Sequence, residues 1–176
     1  MKPFVIVLLF SSVLFAQQSS PTSTGTPAPG CGAGGIKFSV KADKSLQAAV
    51  QPPEGQALVY FVEDDTEFES VPKPTTRIGV DGNWVGANHG ESYFSFPVAP
   101  GVHHLCASWQ SLTVIGAHDT SAAAHFTAAA GQVYYFRVRN KWLREHSASH
   151  IELVPLDSDE GQLMASRRAL SVSHPK

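Results

Sequence analysis

Ser92 to Trp109 runs SYFSFPVAPGVHHLCASW, and its alternation decides the fold class. Phe94, Phe96 and Val98 share one side of the first half; His103, Leu105 and Ala107 share one side of the second. Tyr93, Ser95 and Pro97, then His104, Cys106 and Ser108, take the other side. Successive residues of a strand point to opposite faces, so each half reads as a strand with an apolar inside and a polar outside. Pro100-Gly101 carries turn chemistry: Pro presets φ for the second turn position and Gly accepts a positive φ at the third. The stretch predicts an antiparallel hairpin that pairs Val98 with His103, Phe96 with Leu105 and Phe94 with Ala107.

The flanking sequence repeats the pattern. Asp81-Gly82, a preferred type I′ turn, predicts a hairpin with Ile78 opposite Val85, Val80 opposite Asn83, and Trp84 on the other face near Arg77. Ala129-Ala130-Gly131 predicts another, pairing Phe126 with Tyr134, Ala124 with Phe136 and Ala122 with Val138, with Gly131 in the left-handed position. Ala57 to Val62, ALVYFV, is apolar on both faces and suits a central strand covered on both sides. Ile36 to Val40 alternates as an edge strand, and Ile151 to Leu153 is a further short one. Asp157 caps a short helix, with Glu160 at the capping-box spacing and Leu163, Met164 and Leu170 packing it on the sheets. The whole predicts an all-β fold, an antiparallel β-sandwich of about seven to eight short strands with one short C-terminal helix. A small barrel is the competing architecture.

Hydrophobic residues make up 43% and charged residues 16% of the 176, which suits one globular domain. A formal net charge of -2 gives no electrostatic case for nucleic acid. Lys2, the apolar run from Phe4 to Phe15, and Ala16 have the layout of a signal peptide. The expected organisation is a signal peptide at 1–16, a flexible Ser/Pro/Gly-rich tether at 17–35, a β-sandwich domain at 36–170 and a loose tail at 171–176. The apolar run is too short for a comfortable membrane span, so an exported protein, periplasmic or secreted and without a stable span, is expected. Cys31 stands too far beyond that run to be a lipidated cysteine. In an oxidising compartment Cys31 and Cys106, the chain's 2 cysteines, are expected to form a disulfide. It would staple the tether to the outward face of the strand that holds Cys106.

Gly55-x-Ala57-Leu58-Val59-Tyr60-Phe61, Asp81-Gly82-x-x-Val85-Gly86, Ser92-Tyr93-Phe94, Pro100-Gly101-x-His103 and Gly131-x-x-Tyr134-Tyr135-Phe136-x-Val138 follow one another in an order and spacing that resemble the domain-of-unknown-function 2846 family of bacterial exported proteins. The resemblance covers roughly Gly55 to Gly161. A looser similarity is to PEGA-type envelope modules, through the Asp-Gly hairpin and the Pro-Gly-x-His turn. The resemblance implies a β-sandwich in the cell envelope and carries no catalytic residues with it. Many members of the family are lipoproteins, and this chain lacks their lipobox.

Eight histidines raise a metal reading. His103 and His104 are adjacent in a strand and face opposite ways, so they cannot share an ion. His104, His118 and His125 form the one arrangement with three ligands, and His103 reads instead as a rim histidine bonded to neighbouring backbone. The acidic run Glu63 to Glu69 lacks EF-hand spacing and reads as a solvated loop. No G-x-S-x-G elbow and no phosphate loop are present. No metal, cofactor or catalytic residue is therefore expected. The candidate site is an outward aromatic face of Trp84, Tyr93, Tyr135 and Trp142, with Lys141 to Arg144 as its basic edge, offered to an envelope protein or glycan. The competing reading is that loops, tail and helix cover those rings in a purely structural domain, and a third is a metal-dependent hydrolase built on His104.

Overall fold

The structure, a computed structural model, describes residues 29–48, 51–69, 72–110, 120–143 and 148–176. The signal peptide, most of the tether and His118 lie outside them. Ten strands and one helix follow in order. They are β1 (Phe38–Asp43), β2 (Ala57–Asp64), β3 (Thr75–Val80), β4 (Asn83–His89), β5 (Ser92–Val98), β6 (Gly101–Trp109), β7 (Ser121–Ala128), β8 (Val133–Leu143), β9 (Ala148–Leu156), α1 (Ser158–Ser166) and β10 (Ala169–Pro175). Two sheets form the sandwich. One has six strands in the order β1-β10-β5-β2-β8-β9, the other four in the order β4-β3-β6-β7. The all-β class holds, with more strands than the turn count suggested.

Alternation places the core as the sequence says. Val59 and Phe61 of β2, Ile78 of β3, Leu105 and Ala107 of β6 and Val138 of β8 are fully buried between the sheets. Phe94, Phe96, Ala124 and Phe126 pack on them. Strand β2 is buried along its whole length, central between β5 and β8.

Two of the three expected hairpins are not hairpins. β5 pairs with β2 and β10, while β6 pairs with β3 and β7 in the other sheet. The Pro100-Gly101 turn is therefore an arch from one sheet to the other. Phe96 pairs with Val59 and Leu105 with Ala124. Likewise β7 lies in the small sheet and β8 in the large one. Phe126 meets Tyr134 and Phe136 as rings across the core, at 4.9 and 5.3 Å between centroids, rather than as backbone partners. The inward residues are the same in a hairpin and in an arch, because both bring two apolar faces together. Only the backbone partners differ.

The Asp81-Gly82 hairpin does form, with φ of 49° and 80° at its two central residues, the left-handed values of a type I′ turn. Val80 pairs with Asn83 and Gly79 with Trp84 as expected. A bulge then shifts the register, so Ile78 meets Gly86 and not Val85.

The C-terminus is not a loose tail. Strand β10 runs antiparallel to β1 from Leu170 with Asp43 to Pro175 with Phe38, and starts parallel to β5. It inserts between those strands, and its Ala169 and Ser171 are buried. The tether, too, ends sooner than expected, because residues 30–36 lie on the small sheet. The side chain of Asp157 accepts hydrogen bonds from the Asp159 and Glu160 backbone N–H groups at the start of α1. Met164 and Leu170 pack toward the large sheet, whereas Leu163 is 50% exposed.

Candidate functional site

The four aromatic residues expected on one face sit in three places. Trp84 lies on the outer face of the small sheet, Tyr93 and Tyr135 on the outer face of the large sheet. Trp142 does not face outward: β8 alternates Phe136, Val138, Asn140 and Trp142 inward, and the Trp142 ring packs near Phe68, 6.5 Å between centroids. The basic edge is paired as well. Lys141 Nζ stands 2.9 Å from a Glu152 carboxylate oxygen, and Arg139 meets Asp64, Glu67 and Glu152. Arg144 lies outside the described residues.

Trp84 is roofed. The Cys31–Cys106 disulfide holds residues 30–36 across β3, β4 and β6. The Trp84 Nε1–H donates to the Ala33 carbonyl at 2.8 Å, and an Arg77 Nη donates to the Ile36 carbonyl at 3.0 Å. The Arg77 guanidinium stacks 4.3 Å from the centre of the Trp84 ring. Gly79 is glycine because a Cβ there would run into the Gly30 carbonyl. This is a closed structural joint.

The large sheet is different. Tyr60 of β2, Tyr93 of β5 and Tyr135 of β8 stand side by side, Tyr60 stacked 5.8 Å from Tyr93 and 4.9 Å from Tyr135. Helix α1 crosses Tyr135 at Gly161, where a Cβ would collide with the ring. The Tyr93 hydroxyl accepts from the Ala48 N–H at 3.1 Å and so fixes segment 44–48 beside the helix. Between helix, segment and tyrosines lies a groove of about 260 Å³. Lys44, Leu46, Gln47, Gln162, Ser166 and Arg168 also line it. Burial and the neighbouring phenols Tyr135 and Tyr93 push the Tyr60 hydroxyl up to about 12, and burial raises that of Tyr135. Both stay neutral hydrogen-bonding groups at physiological pH.

The acidic run is a solvated loop only in its second half, where Thr66 and Glu69 are exposed. Alternation continues past Phe61 and turns Glu63 inward, where it is fully buried, with Asp65 1% exposed. Asn140 Nδ2 donates to Glu63 Oε1 at 2.8 Å and to Asp65 Oδ1 at 2.7 Å. The Thr76 hydroxyl donates to the same Glu63 oxygen, and Trp109 Nε1–H donates to Asn140 Oδ1. Burial and the adjacent Asp65 hold the Glu63 carboxyl well above its usual range. Burial likewise lifts Asp65 to about 6, against the bond from Asn140. One amide N–H₂ bridges the two acids, and neither acid lines the groove. Asp64, facing outward, is raised by burial but lowered further by Thr66 and Arg139, so it is held below the usual carboxylate range.

His103 is a rim histidine, as its position implies: Nε2 lies 2.6 Å from the Ala99 carbonyl. Its Nδ1 also lies 2.6 Å from Asp81 Oδ2, a partner the sequence did not reveal. Burial pushes the imidazole down, but Asp81 and the Ala99 carbonyl outweigh it and leave it raised. His104 and His125 are cross-strand neighbours with ring centroids 6.3 Å apart. Among the described residues no three His, Cys, Asp or Glu side chains converge on a metal position.

No family model, curated protein or solved structure matches the chain. What the groove can hold follows from its own side chains. Sequence reasoning missed Tyr60, Lys44 and Arg168, because the three strands, the helix end and the segment that supply the groove are brought together only by the tertiary fold. The one sequence signal for Tyr60 is its period-2 alignment with Leu58 and Val62 on a single face.

Proposed function

We propose that this chain is an exported, non-catalytic cell-envelope module of the domain-of-unknown-function 2846 type, and that it binds its ligand in the tyrosine groove. The groove itself is the observation that carries the reading: three phenol rings from separate strands open onto one hollow, beside flexible amides and cations. A concave site where polar groups converge beside aromatic side chains is a form that small polar ligands use. The disulfide fits an oxidising compartment. No helix among the described residues is long and apolar enough to cross a membrane. The strongly shifted acids, Glu63 and Asp65, are sealed in the core away from the groove, which favours binding over catalysis.

The second reading is a structural domain without a ligand. It is favoured by the loss of Trp84 to the arm and of Trp142 to the core. Titrating soluble envelope polysaccharide fragments into the oxidised protein, followed by amide NMR shifts, separates the two. Saturable shifts at Gln47, Tyr93, Tyr135 and Gln162, unchanged in Trp84→Ala, are expected. Absence of any saturable shift would leave the structural reading.

A further inference from the structure

We propose that the tyrosine groove recognises a carboxylated sugar, a hexuronic acid unit of a glycan, with Lys44 and Arg168 facing its carboxylate. The proposal rests on the groove being the binding site and names the chemistry that site selects.

Charge is the first argument. Among the described residues, four lysine and arginine cations are in ion pairs. Lys41 pairs with Asp43, Arg137 with Glu160, and Arg139 and Lys141 with Glu152 and its neighbours. Lys44 and Arg168 face the groove, and among the described residues neither has a carboxylate partner. Among the described residues no Asp or Glu lines the groove. In a chain of net charge -2, a hollow lined by two cations and no acid is complementary to an anion.

Preorganisation is the second. Arg168 Nε–H donates to the Glu63 carbonyl at 2.9 Å and an Nη donates to the Met164 carbonyl at 3.2 Å. Those bonds fix the planar fork and cancel the partial negative charge of the end of α1. A guanidinium has five N–H donors, so the others remain for a carboxylate in the planar, paired geometry that suits it. The ordering cost is met in the folded protein before any ligand arrives.

The rest of the lining selects a sugar over a bare anion. Gln47 and Gln162 can each donate and accept, as alternating hydroxyls require. Ser166 donates its hydroxyl proton to the Leu163 carbonyl at 2.9 Å, which turns its oxygen toward the role of acceptor. Leu46, 47% exposed, and the half-buried Tyr135 offer apolar surface to a ring's C–H face. About 260 Å³ accommodates a single pyranose unit with its substituents.

The test is titration of the oxidised protein, read by amide NMR shifts, with three probes: tri-galacturonate, its neutral counterpart galactotriose, and tri-glutamate peptide of equal charge. Tri-galacturonate is expected to shift the groove amides and to bind about tenfold more tightly than either comparison probe. Arg168 also holds the end of α1, so Lys44→Glu, an exposed change that leaves the fold intact, carries the mutational arm. It should erase the preference for tri-galacturonate over galactotriose. Equal binding of galactotriose at the groove would overturn the carboxylate while leaving the groove a binding site. Equal binding of tri-glutamate would overturn the sugar. No groove shift with any probe would overturn both this proposal and the site on which it rests.

Discussion

On the outer face of the small sheet, Trp84 is roofed by a covalently held backbone arm that reaches it at hydrogen-bond distance. On the outer face of the large sheet, Tyr60, Tyr93 and Tyr135 are roofed by a helix and a short segment that leave a hollow. Both faces carry aromatic rings beside cations, and at the level of sequence they look alike. What separates them is the size of the covering element. Backbone with small residues at Gly30 and Gly32 can lie flat on a strand pair. A helix stands about 10 Å off a sheet and touches it only where its own residues are small, as at Gly161. An outward aromatic is thus a poor sign of a binding face until its cover is known.

The contrast can be broken from either side. Cys31→Ala should have the largest effect, because it frees an arm closed by a sequence separation of 75 residues. A loss of about 4 kcal/mol in denaturant unfolding is expected, together with a red-shifted, more quenchable Trp84 emission. If unfolding is unchanged, the arm is held by its hydrogen bonds alone. On the large sheet, Gly161→Val should cost about 2 to 3 kcal/mol by driving a side chain into the Tyr135 ring and lifting the helix. It should abolish groove shifts without altering Trp84 fluorescence.

A smaller effect separates the faces by pH. Asp65 has a folded-state pKa of about 6 against 3.8, so the folded protein holds the proton longer than the unfolded chain. Stability is highest below that window and falls as pH rises through it, by about 3 kcal/mol. Glu63 acts with the same sign. The raised His103 adds stability that is lost as pH rises beyond its folded value, whereas the lowered Asp81 adds stability that is lost as pH falls below 3.8. The melting temperature should therefore peak in mild acid. Asp65→Asn keeps the acceptor that Asn140 needs and should flatten the fall toward neutrality. A wild-type profile that rises from pH 5 to 7 would refute the buried-acid account. Smallest of all, Trp84→Phe keeps the ring over Arg77 and removes only the bond to Ala33. A loss of about 1 kcal/mol in thermal unfolding is expected, with no change at the groove.

The buried acids were open to view in part. Period-2 alternation carried one step beyond Phe61 turns Glu63 inward, but charge made the run look like a loop. Glu63 is tolerated inside because Asn140, Thr76 and Trp109 arrive from three other strands to form a bonded set. Those partners are far apart in sequence, and nothing local announces them. The Asp81–His103 contact was hidden for the same reason.

By itself the sequence determined which residues face inward on most strands, the type I′ turn at Asp81-Gly82, the cap at Asp157 and the Cys31–Cys106 pairing. Each follows from period, local turn geometry or cysteine count. Only the tertiary structure decided that Pro100-Gly101 and Gly131 lead across the sandwich rather than back along one sheet. It alone inserted β10 beside β5 and set Tyr60, Tyr93 and Tyr135 in a row. The physical reason is that side-chain burial is satisfied equally by a hairpin and by an arch. The choice of backbone partner is made by the whole set of strands competing for hydrogen bonds, and that set is not local.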